Sequence, residues 1–397
     1  MHYLIIGNGV AGTTAAENIR KYDPEGAIAV FTDEAYPFYS RIRLIDFLAD
    51  EVALEKLQIR PLSWYESQGI RLFLNTPIVD VDAVGKTVLT RSGERHGYDK
   101  LLLADGSRSF VPPIPGAPLP GVFTLRNIKD ALAIKAFAQG KEKALVIGGG
   151  LLGLEAANSL RKRGMQVTVV EFFPRLLPRQ TDPACSALLQ GRLEAMGFTF
   201  FLGASSKEIR GEGQVRELLL EDGRRLDCDL ILISAGVRPN LDLAQKAGIK
   251  TGKGVPVTER METEIPGIYA AGDGIEFKGM LYGIWPASEK QGEVAGMNMA
   301  GREALYQGTT LSNQLKVAGM DLLAAGNIDA EGKAESFVDL DREKGTYRKI
   351  VIENDRIVGV LFFGTTEGRR PILKALEEGR NISGIKERLR RFDLQGL

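Results

Sequence analysis

Cysteine and histidine are almost missing from this chain. Among 397 residues there are two cysteines, Cys185 and Cys228, and two histidines, His2 and His96. No Cys-x-x-Cys or Cys-x4-Cys spacing occurs, which argues against structural zinc, an iron–sulfur centre and a redox-active dithiol, so no metal is expected. An excess of charge is also lacking: Lys plus Arg number 51 and Asp plus Glu 51. No global field is available to hold a nucleic acid or an anionic membrane. No apolar run reaches the ~18 residues of a membrane span. The chain opens almost at once on an apolar strand, Tyr3 to Ile6, without the basic flank or cleavage site of a signal peptide, so the expected location is the cytoplasm. The one dense basic run, Lys386-Glu387-Arg388-Leu389-Arg390-Arg391, is either a solvated helix end or a dock for an acidic partner.

What is present is an ordinary globular balance, 44% hydrophobic and 26% charged, in a chain long enough for two or three domains. Its most informative feature is an internal duplication. Leu4-Ile5-Ile6-Gly7-Asn8-Gly9-Val10-Ala11-Gly12 is echoed by Leu145-Val146-Ile147-Gly148-Gly149-Gly150-Leu151-Leu152-Gly153. Each copy reads as strand, glycine turn, helix (Thr13 to Lys21; Leu154 to Arg163) and second strand (Ala27 to Phe31; Gln166 to Val170), the order of a βαβ unit.

A lone Gly-x-Gly-x-x-Gly is weak evidence in a chain with 46 glycines, and context decides. The first glycine permits a sharp turn, the second lets backbone approach a pyrophosphate, and the third lets helix pack on strand, with unpaired helix N–H groups facing the phosphates. Two copies imply two dinucleotides. The second copy ends its second strand on Glu171, 18 residues beyond Gly153, where a carboxylate suits an adenosine ribose. A 2′-phosphate about 4 Å from that carboxylate would be repelled by about 4 kcal/mol at an effective dielectric near 20, which favours NADH over NADPH. Arg175 is the cation that would offset this repulsion. The equivalent place in the first copy is Thr32, with Asp33 and Glu34 just beyond.

Pro-rich connectors at Val111 to Gly116 and Gly236 to Asn240 read as crossings between domains. The expected fold class is α/β, with two Rossmann-like three-layer nucleotide-binding domains, the second inserted in the first, plus a small α+β C-terminal domain. The divisions are 1–109 with 237–308, 110–236, and 309–397. The last begins a new pattern near Leu311, with a hairpin of Tyr347 to Ile352 and Arg356 to Phe363 and a helix Pro371 to Glu378.

Further motifs follow in order: Tyr39-Ser40-Arg41-Ile42-Arg43-Leu44, Leu103-Ala104-Asp105-Gly106-Ser107-Arg108, Ser234 to Asn240, and Ile268-Tyr269-Ala270-Ala271-Gly272-Asp273. On these the chain resembles, over nearly its whole length, the FAD-dependent pyridine nucleotide oxidoreductases of the glutathione-reductase type. Within them it is most similar to the NADH:rubredoxin reductases and the NADH-binding part of assimilatory nitrite reductase. The resemblance implies an FAD site of Gly7, Gly9, Val10, Ala11, Gly12, Asp33, Glu34, Arg41, Arg43, Val79, Ala104, Asp105, Gly106, Arg108, Gly272, Asp273, Trp285 and Pro286. Asp273 is implied to bond the ribityl chain, Arg41 and Arg43 to lie beside the flavin or its pyrophosphate, and the helix begun by Trp285-Pro286 to face the flavin pyrimidine edge. The implied NADH site is Gly148, Gly150, Leu151, Leu152, Gly153, Glu155, Glu171, Ala235 and Gly236.

Two departures stand out. Relatives usually carry Thr where Asp105 stands, and the cysteine that oxidases and peroxidases of the wider group place near Ile42 is absent, which argues against peroxide or disulfide chemistry. The expected reaction is hydride transfer from NADH to FAD, with positioning as the main contribution of the protein and no obligatory side-chain acid or base. Electrons then pass to a separate small carrier, rubredoxin first among candidates, from a monomer or homodimer. The alternatives are an NADH oxidase using oxygen directly, or an electron-input subunit of a larger reductase complex. Cys185 and Cys228 are expected to be packing residues and His96 a surface residue of a polar loop.

Overall fold

A computed structural model of the protein describes residues 1–309 and 312–397, with only backbone given for 312–317. Leu311, near which the C-terminal pattern of the sequence begins, lies outside the described residues. The chain runs β1 (His2–Ile6), α1 (Val10–Tyr22), β2 (Ala27–Phe31), β3 (Ile70–Phe73), β4 (Lys100–Leu103), β5 (Val122–Phe123), α2 (Ile128–Phe137), β6 (Lys143–Ile147), α3 (Leu151–Lys162), β7 (Gln166–Glu171), α4 (Pro183–Ala195), β8 (Phe198–Leu202), β9 (Leu230–Ile233), β10 (Ile268–Ala270), α5 (Trp285–Met299), β11 (Ser312–Val317), β12 (Met320–Gly326), β13 (Glu335–Asp341), β14 (Thr346–Glu353), β15 (Arg356–Phe363) and α6 (Arg369–Glu377). It divides into two compact units, Met1–Arg43 with Val52–Arg108 and Val237–Thr309, and Leu44–Glu51 with Ser109–Gly236 and Thr310–Leu397.

The first unit is built on a parallel sheet of order β10-β4-β1-β2-β3. Leu4-Ile5-Ile6 and Leu101-Leu102-Leu103 are buried without alternation, as a sheet covered on both faces requires. Helix α1 packs on α5 through small residues. A Cβ at Gly292 would lie 2.3 Å from the Ala11 carbonyl oxygen, and one at Gly296 would lie 2.5 Å from that of Ala15, so only glycine lets the helices come this close. A three-stranded antiparallel sheet, Ile78–Asp82, Thr87–Thr90 and Arg95–Gly97, completes the unit.

The second unit repeats the plan. Its parallel sheet has the order β8-β7-β6-β9-β5, and it too carries a three-stranded antiparallel sheet, Ser206–Arg210, Glu217–Leu220 and Arg225–Asp227. The short helix Leu44–Leu48 belongs here because Ser159 Oγ donates to the Ile45 carbonyl at 2.8 Å and Lys162 pairs with Glu51 at 2.6 Å.

In the same unit lies an antiparallel sheet of order β11-β12-β15-β14-β13. Side chains alternate across its pleat. Leu322, Ala324, Tyr347, Leu361 and Phe363 share a core with Leu189 and Leu193 of α4, whereas Leu323, Ala325, Ile350 and Phe362 pack with Ile372 and Ala375 of α6. The β14–β15 hairpin turns on Asn354 and Asp355, φ 50° and 53°, the left-handed pair of a two-residue turn. Both cradle helices begin three residues before their sequence-expected starts, at Val10 and Leu151, because the glycine that ends each turn is itself the N-cap.

Candidate nucleotide-binding cradles

Each glycine turn joins the C-terminal end of the central strand of its sheet to a helix, and the two turns share one geometry. Gly7 N–H donates to Phe31 O at 2.8 Å and Gly148 N–H to Val170 O at 2.8 Å. Both first glycines have positive φ, 108° and 122°, and a Cβ there would sit 2.1 Å from Ala104 O or 2.3 Å from Ser234 O. The third glycines, Gly12 and Gly153, would each drive a Cβ to 2.0 Å from the carbonyl oxygen of the first. The middle glycines differ: a Cβ on Gly9 or Gly150 meets nothing within 4 Å, so the space over each turn is open.

Those middle glycines are also the N-caps of α1 and α3, and neither helix has a side-chain cap or an acidic residue in its first turn. Two other helices of the chain are capped by side chains, α2 by the Asn127–Asp130 box and α4 by Asp182, which accepts from Cys185 N–H at 3.0 Å. Uncapped first-turn N–H groups above open space are what a diphosphate requires, and the dipole favours its charge. The residues fit a dinucleotide at both places.

Several of the other sequence-predicted residues of that unit are tied to the strand ends beside the first turn, though not all. Gly272, φ 94°, follows β10, and its N–H donates to Gln291 Oε1 of α5 at 2.9 Å. Asp273 accepts from Ser107 Oγ at 3.0 Å and from Ser288 Oγ at 3.5 Å, which ties the β10 end to the Asp105 turn and to the first turns of α5. Trp285 and Pro286 open α5, and the indole packs on Phe38 at 5.8 Å between ring centroids. Arg41 pairs with Glu34, which also accepts from Tyr39 OH at 2.5 Å. Asp33 follows Thr32 at the end of β2, and Arg43 Nη1 donates to the Lys56 carbonyl at 3.1 Å.

Asp105 follows β4 beside this turn, half-buried, and its carbonyl accepts from Asn240 Nδ2 at 2.8 Å. Burial pushes its carboxyl up to about 7; Asp242 and Asp33 push in the same direction and Arg108 opposes them. Arg108 itself lies 3.6 Å from Asp242 and donates to Asn240 Oδ1 at 3.2 Å. Val79 sits apart from the turn on the strand Ile78–Asp82, where its carbonyl accepts from Lys246 Nζ at 2.5 Å.

Sequence reasoning passed over several contributors. Asn8 Oδ1 inside the first turn accepts from Tyr65 OH at 2.8 Å and Thr13 Oγ1 at 3.3 Å, and Ser107, Ser288 and Gln291 hold Asp273 and Gly272. All four lie in or beside the motifs, Asn8 inside the first glycine turn, Ser107 after Gly106, and Ser288 and Gln291 in the helix begun by Trp285-Pro286, but residue type alone did not show what each would bond.

At the second turn, Glu171 ends β7 buried, accepting from Gly149 N–H at 2.5 Å and Phe173 N–H at 2.8 Å. Leu151 and Leu152 begin α3, with Leu152 half exposed, and Ala235-Gly236 follow β9 with Gly236 at φ 97°. Glu155 is engaged elsewhere: its Oε1 accepts from Ala318 N–H at 2.8 Å in the β11–β12 turn, and burial raises its carboxyl. Arg175 pairs with Glu331 at 2.7 Å.

His96 does not occupy a polar loop. It lies on the strand Arg95–Gly97 with its ring on Phe31 and Phe73, centroids 4.8 and 5.7 Å away, because the strand's register turns alternate residues toward the core. Cys185 and Cys228 are buried free thiols, pushed up by burial, Cys228 to about 12, so neither supplies a thiolate at neutral pH. The basic run is largely consumed: Lys386 pairs with Glu335 at 2.9 Å, and Arg388 with Asp393 at 3.0 Å. Among the described residues there is no group of three or more His, Cys, Asp or Glu placed to hold a metal, and no helix long and apolar enough to cross a membrane.

Comparison with known proteins adds two family matches, "Pyridine nucleotide-disulphide oxidoreductase" over residues 1–311 and "Rubredoxin NAD+ reductase C-terminal domain" over 312–380. Nitrite reductase [NAD(P)H] of Bacillus subtilis is 39% identical over 370 residues, 92% of this chain and 46% of that protein. An NADH oxidase of Methanocaldococcus jannaschii is 36% identical, covering 82% of this chain and 76% of the relative. The crystal structure of NADH:rubredoxin oxidoreductase from Clostridium acetobutylicum superposes with a TM-score of 0.84 at 28% identity, covering 99% of both chains. The chain spans about half the length of two B. subtilis relatives, 46% of nitrite reductase [NAD(P)H] and 50% of the assimilatory nitrate reductase electron transfer subunit.

Proposed function

For a chain that belongs to the pyridine nucleotide-disulphide oxidoreductase family, with FAD and NADH as its cofactors, we propose NADH-dependent reduction of a separate small electron carrier of the rubredoxin kind. The observation that carries this reading is the duplicated cradle, one copy per unit, with only the second ending its βαβ unit on a buried carboxylate, Glu171. FAD, when bound, accepts a hydride from NADH and releases electrons singly. The chain's own residues bind and orient. Uncapped α1 and α3 hold the two diphosphates, Asp273 receives ribityl hydroxyls, and Glu171 receives the adenosine ribose of NADH. No side chain need move a proton in the hydride step, so rate follows from positioning.

Carrier reduction is favoured by the match of residues 312–380 to a rubredoxin reductase domain, and Ile42, exposed near the place where oxidases and peroxidases of the wider group carry a cysteine, speaks against peroxide or disulfide chemistry. Electron input to a larger reductase is the second reading, favoured by relatives twice as long. The form proposed is a cytoplasmic monomer or homodimer; no helix among the described residues is long and apolar enough to cross a membrane.

Anaerobic stopped-flow tests the proposal. NADH should bleach the flavin of the purified protein, and reoxidation should be fast with rubredoxin and slow with flavodoxin or oxygen. Reoxidation fastest with oxygen would overturn it. Asp273→Ala protein should elute from gel filtration without its yellow colour yet with an intact far-ultraviolet spectrum. Full flavin content in that variant would remove Asp273 from the site.

A further inference from the structure

Choice between NADH and NADPH turns on one 2′-phosphate beside the end of β7, and the loop that follows Glu171 contains two cations, Arg175 and Arg179. A phosphate ester is held by a guanidinium free to offer its fork. Arg175 is not free. Its Nη2 lies 2.7 Å from Glu331 Oε1 and donates to Pro178 O at 3.2 Å, and its side chain is only 17% exposed. Its Nε is buried with no hydrogen-bond partner, so the end of the guanidinium that Glu331 occupies is the part a ligand would need.

Glu331 comes from the loop between β12 and β13, and that loop is anchored. Asp329 Oδ1 and Oδ2 accept from Lys333 N–H at 2.8 Å and Ala334 N–H at 3.0 Å, and its carbonyl accepts from buried Lys349 Nζ at 2.8 Å. Lys349 lies 3.4 Å from Asp182, which caps α4 and accepts from Tyr347 OH at 2.5 Å. The segment carrying Arg175 is pinned as well, with Leu177 N–H donating to Gly149 O of the glycine turn at 3.0 Å. Both partners of the pair are therefore presented by fixed backbone, and the ion pair is a built feature of the site.

We propose that Glu331, contributed by the antiparallel C-terminal sheet, is a specificity-determining residue for the coenzyme: by pairing with Arg175 it withdraws the cation that a 2′-phosphate needs. It acts through Arg175 and touches no nucleotide itself. Selection against NADPH is thus made twice, by the carboxylate of Glu171 on the strand end and by the neutralised guanidinium four residues on. This inference rests on the reading that the second cradle takes NADH.

Titration of the oxidised, FAD-loaded full chain with NAD+ and NADP+ by calorimetry tests it without turnover. Glu331→Gln should lower the Kd for NADP+ about tenfold, the size of one added charge-assisted hydrogen bond, and leave that for NAD+ within about twofold. The tighter binding should weaken as salt rises from low to physiological strength. It should vanish in the Glu331→Gln/Arg175→Gln double variant and persist in Glu331→Gln/Arg179→Gln. Unchanged NADP+ affinity in Glu331→Gln, or an improvement that survives loss of Arg175, overturns the inference while NAD+ binding stands. Failure of the unaltered protein to bind NAD+ overturns the reading beneath it. Glu331 is exposed but Arg175 is only 17% exposed, so Glu331→Gln should melt somewhat below the parent, and the binding arms are read at a temperature where both are folded.

Discussion

Gly150→Ala protein should fold, keep its flavin and lose about a hundredfold in NADH affinity. A Cβ at Gly150 touches nothing within 4 Å, and the residue's φ of −76° and ψ of 174° suit alanine, so the fold loses less than about 1 kcal/mol from a poorer N-cap. The added methyl instead occupies the open space where diphosphate oxygens meet the first-turn N–H groups of α3. Losing one or two hydrogen bonds to a charged ligand costs about 3 kcal/mol, which is about two decades in Kd. Gly153→Ala is the contrasting case. Its Cβ would lie 2.0 Å from Gly148 O, so α3 must shift off β6, and the expected result is a loss of about 1–3 kcal/mol in stability. Calorimetric titration with NAD+ beside thermal melts separates the two. Equal NAD+ affinity in Gly150→Ala and the parent would mean that no diphosphate sits over this turn.

Asp105→Asn should remove a pH dependence from stability. The folded carboxyl is raised to about 7 by burial, above the ~3.9 of an unfolded aspartate, so the folded chain binds the extra proton between those values. Stability credited to the neutral group is whole below about pH 4, declines as pH rises through about 7, and is gone above it. A rise of that size corresponds to at most about 4 kcal/mol, and partial solvent contact reduces it to about 2. The parent should therefore be less stable to urea at pH 8 than at pH 5 by about two-thirds of that margin, about 1 kcal/mol, and Asp105→Asn should narrow the gap. Parallel urea midpoints in the two proteins across this range would show that Asp105 is ionised in the fold at neutral pH. The consequence for the cofactor has the same sign. Above about pH 7 a carboxylate beside the Gly7 turn repels the FAD diphosphate, so flavin should dissociate more readily from the parent than from the variant.

The duplicated turns were legible because their chemistry is local. A first glycine with φ above 100°, a third packed on the first, and an uncapped helix start all lie within six residues, Gly7 to Gly12 and Gly148 to Gly153. The same holds for the Asn354-Asp355 turn between the two strands of the C-terminal hairpin. His96 misled because its neighbours in sequence are polar while its partners, Phe31 and Phe73, come from parallel strands elsewhere. Arg175 was visible as a cation near Glu171, but its partner is 156 residues away.

Sequence alone thus determined that two nucleotide cradles exist, where each begins, and that the second closes on a carboxylate, since turn conformation and helix capping depend on a few adjacent residues. The tertiary structure alone decided how the side chains are used: Glu171 on the Gly149 amide, Glu155 on the C-terminal hairpin, Asp105 half-buried beside the first turn, and Arg175 neutralised by Glu331. Burial and charge pairing arise from groups far apart in the chain, and only folding sets their distances.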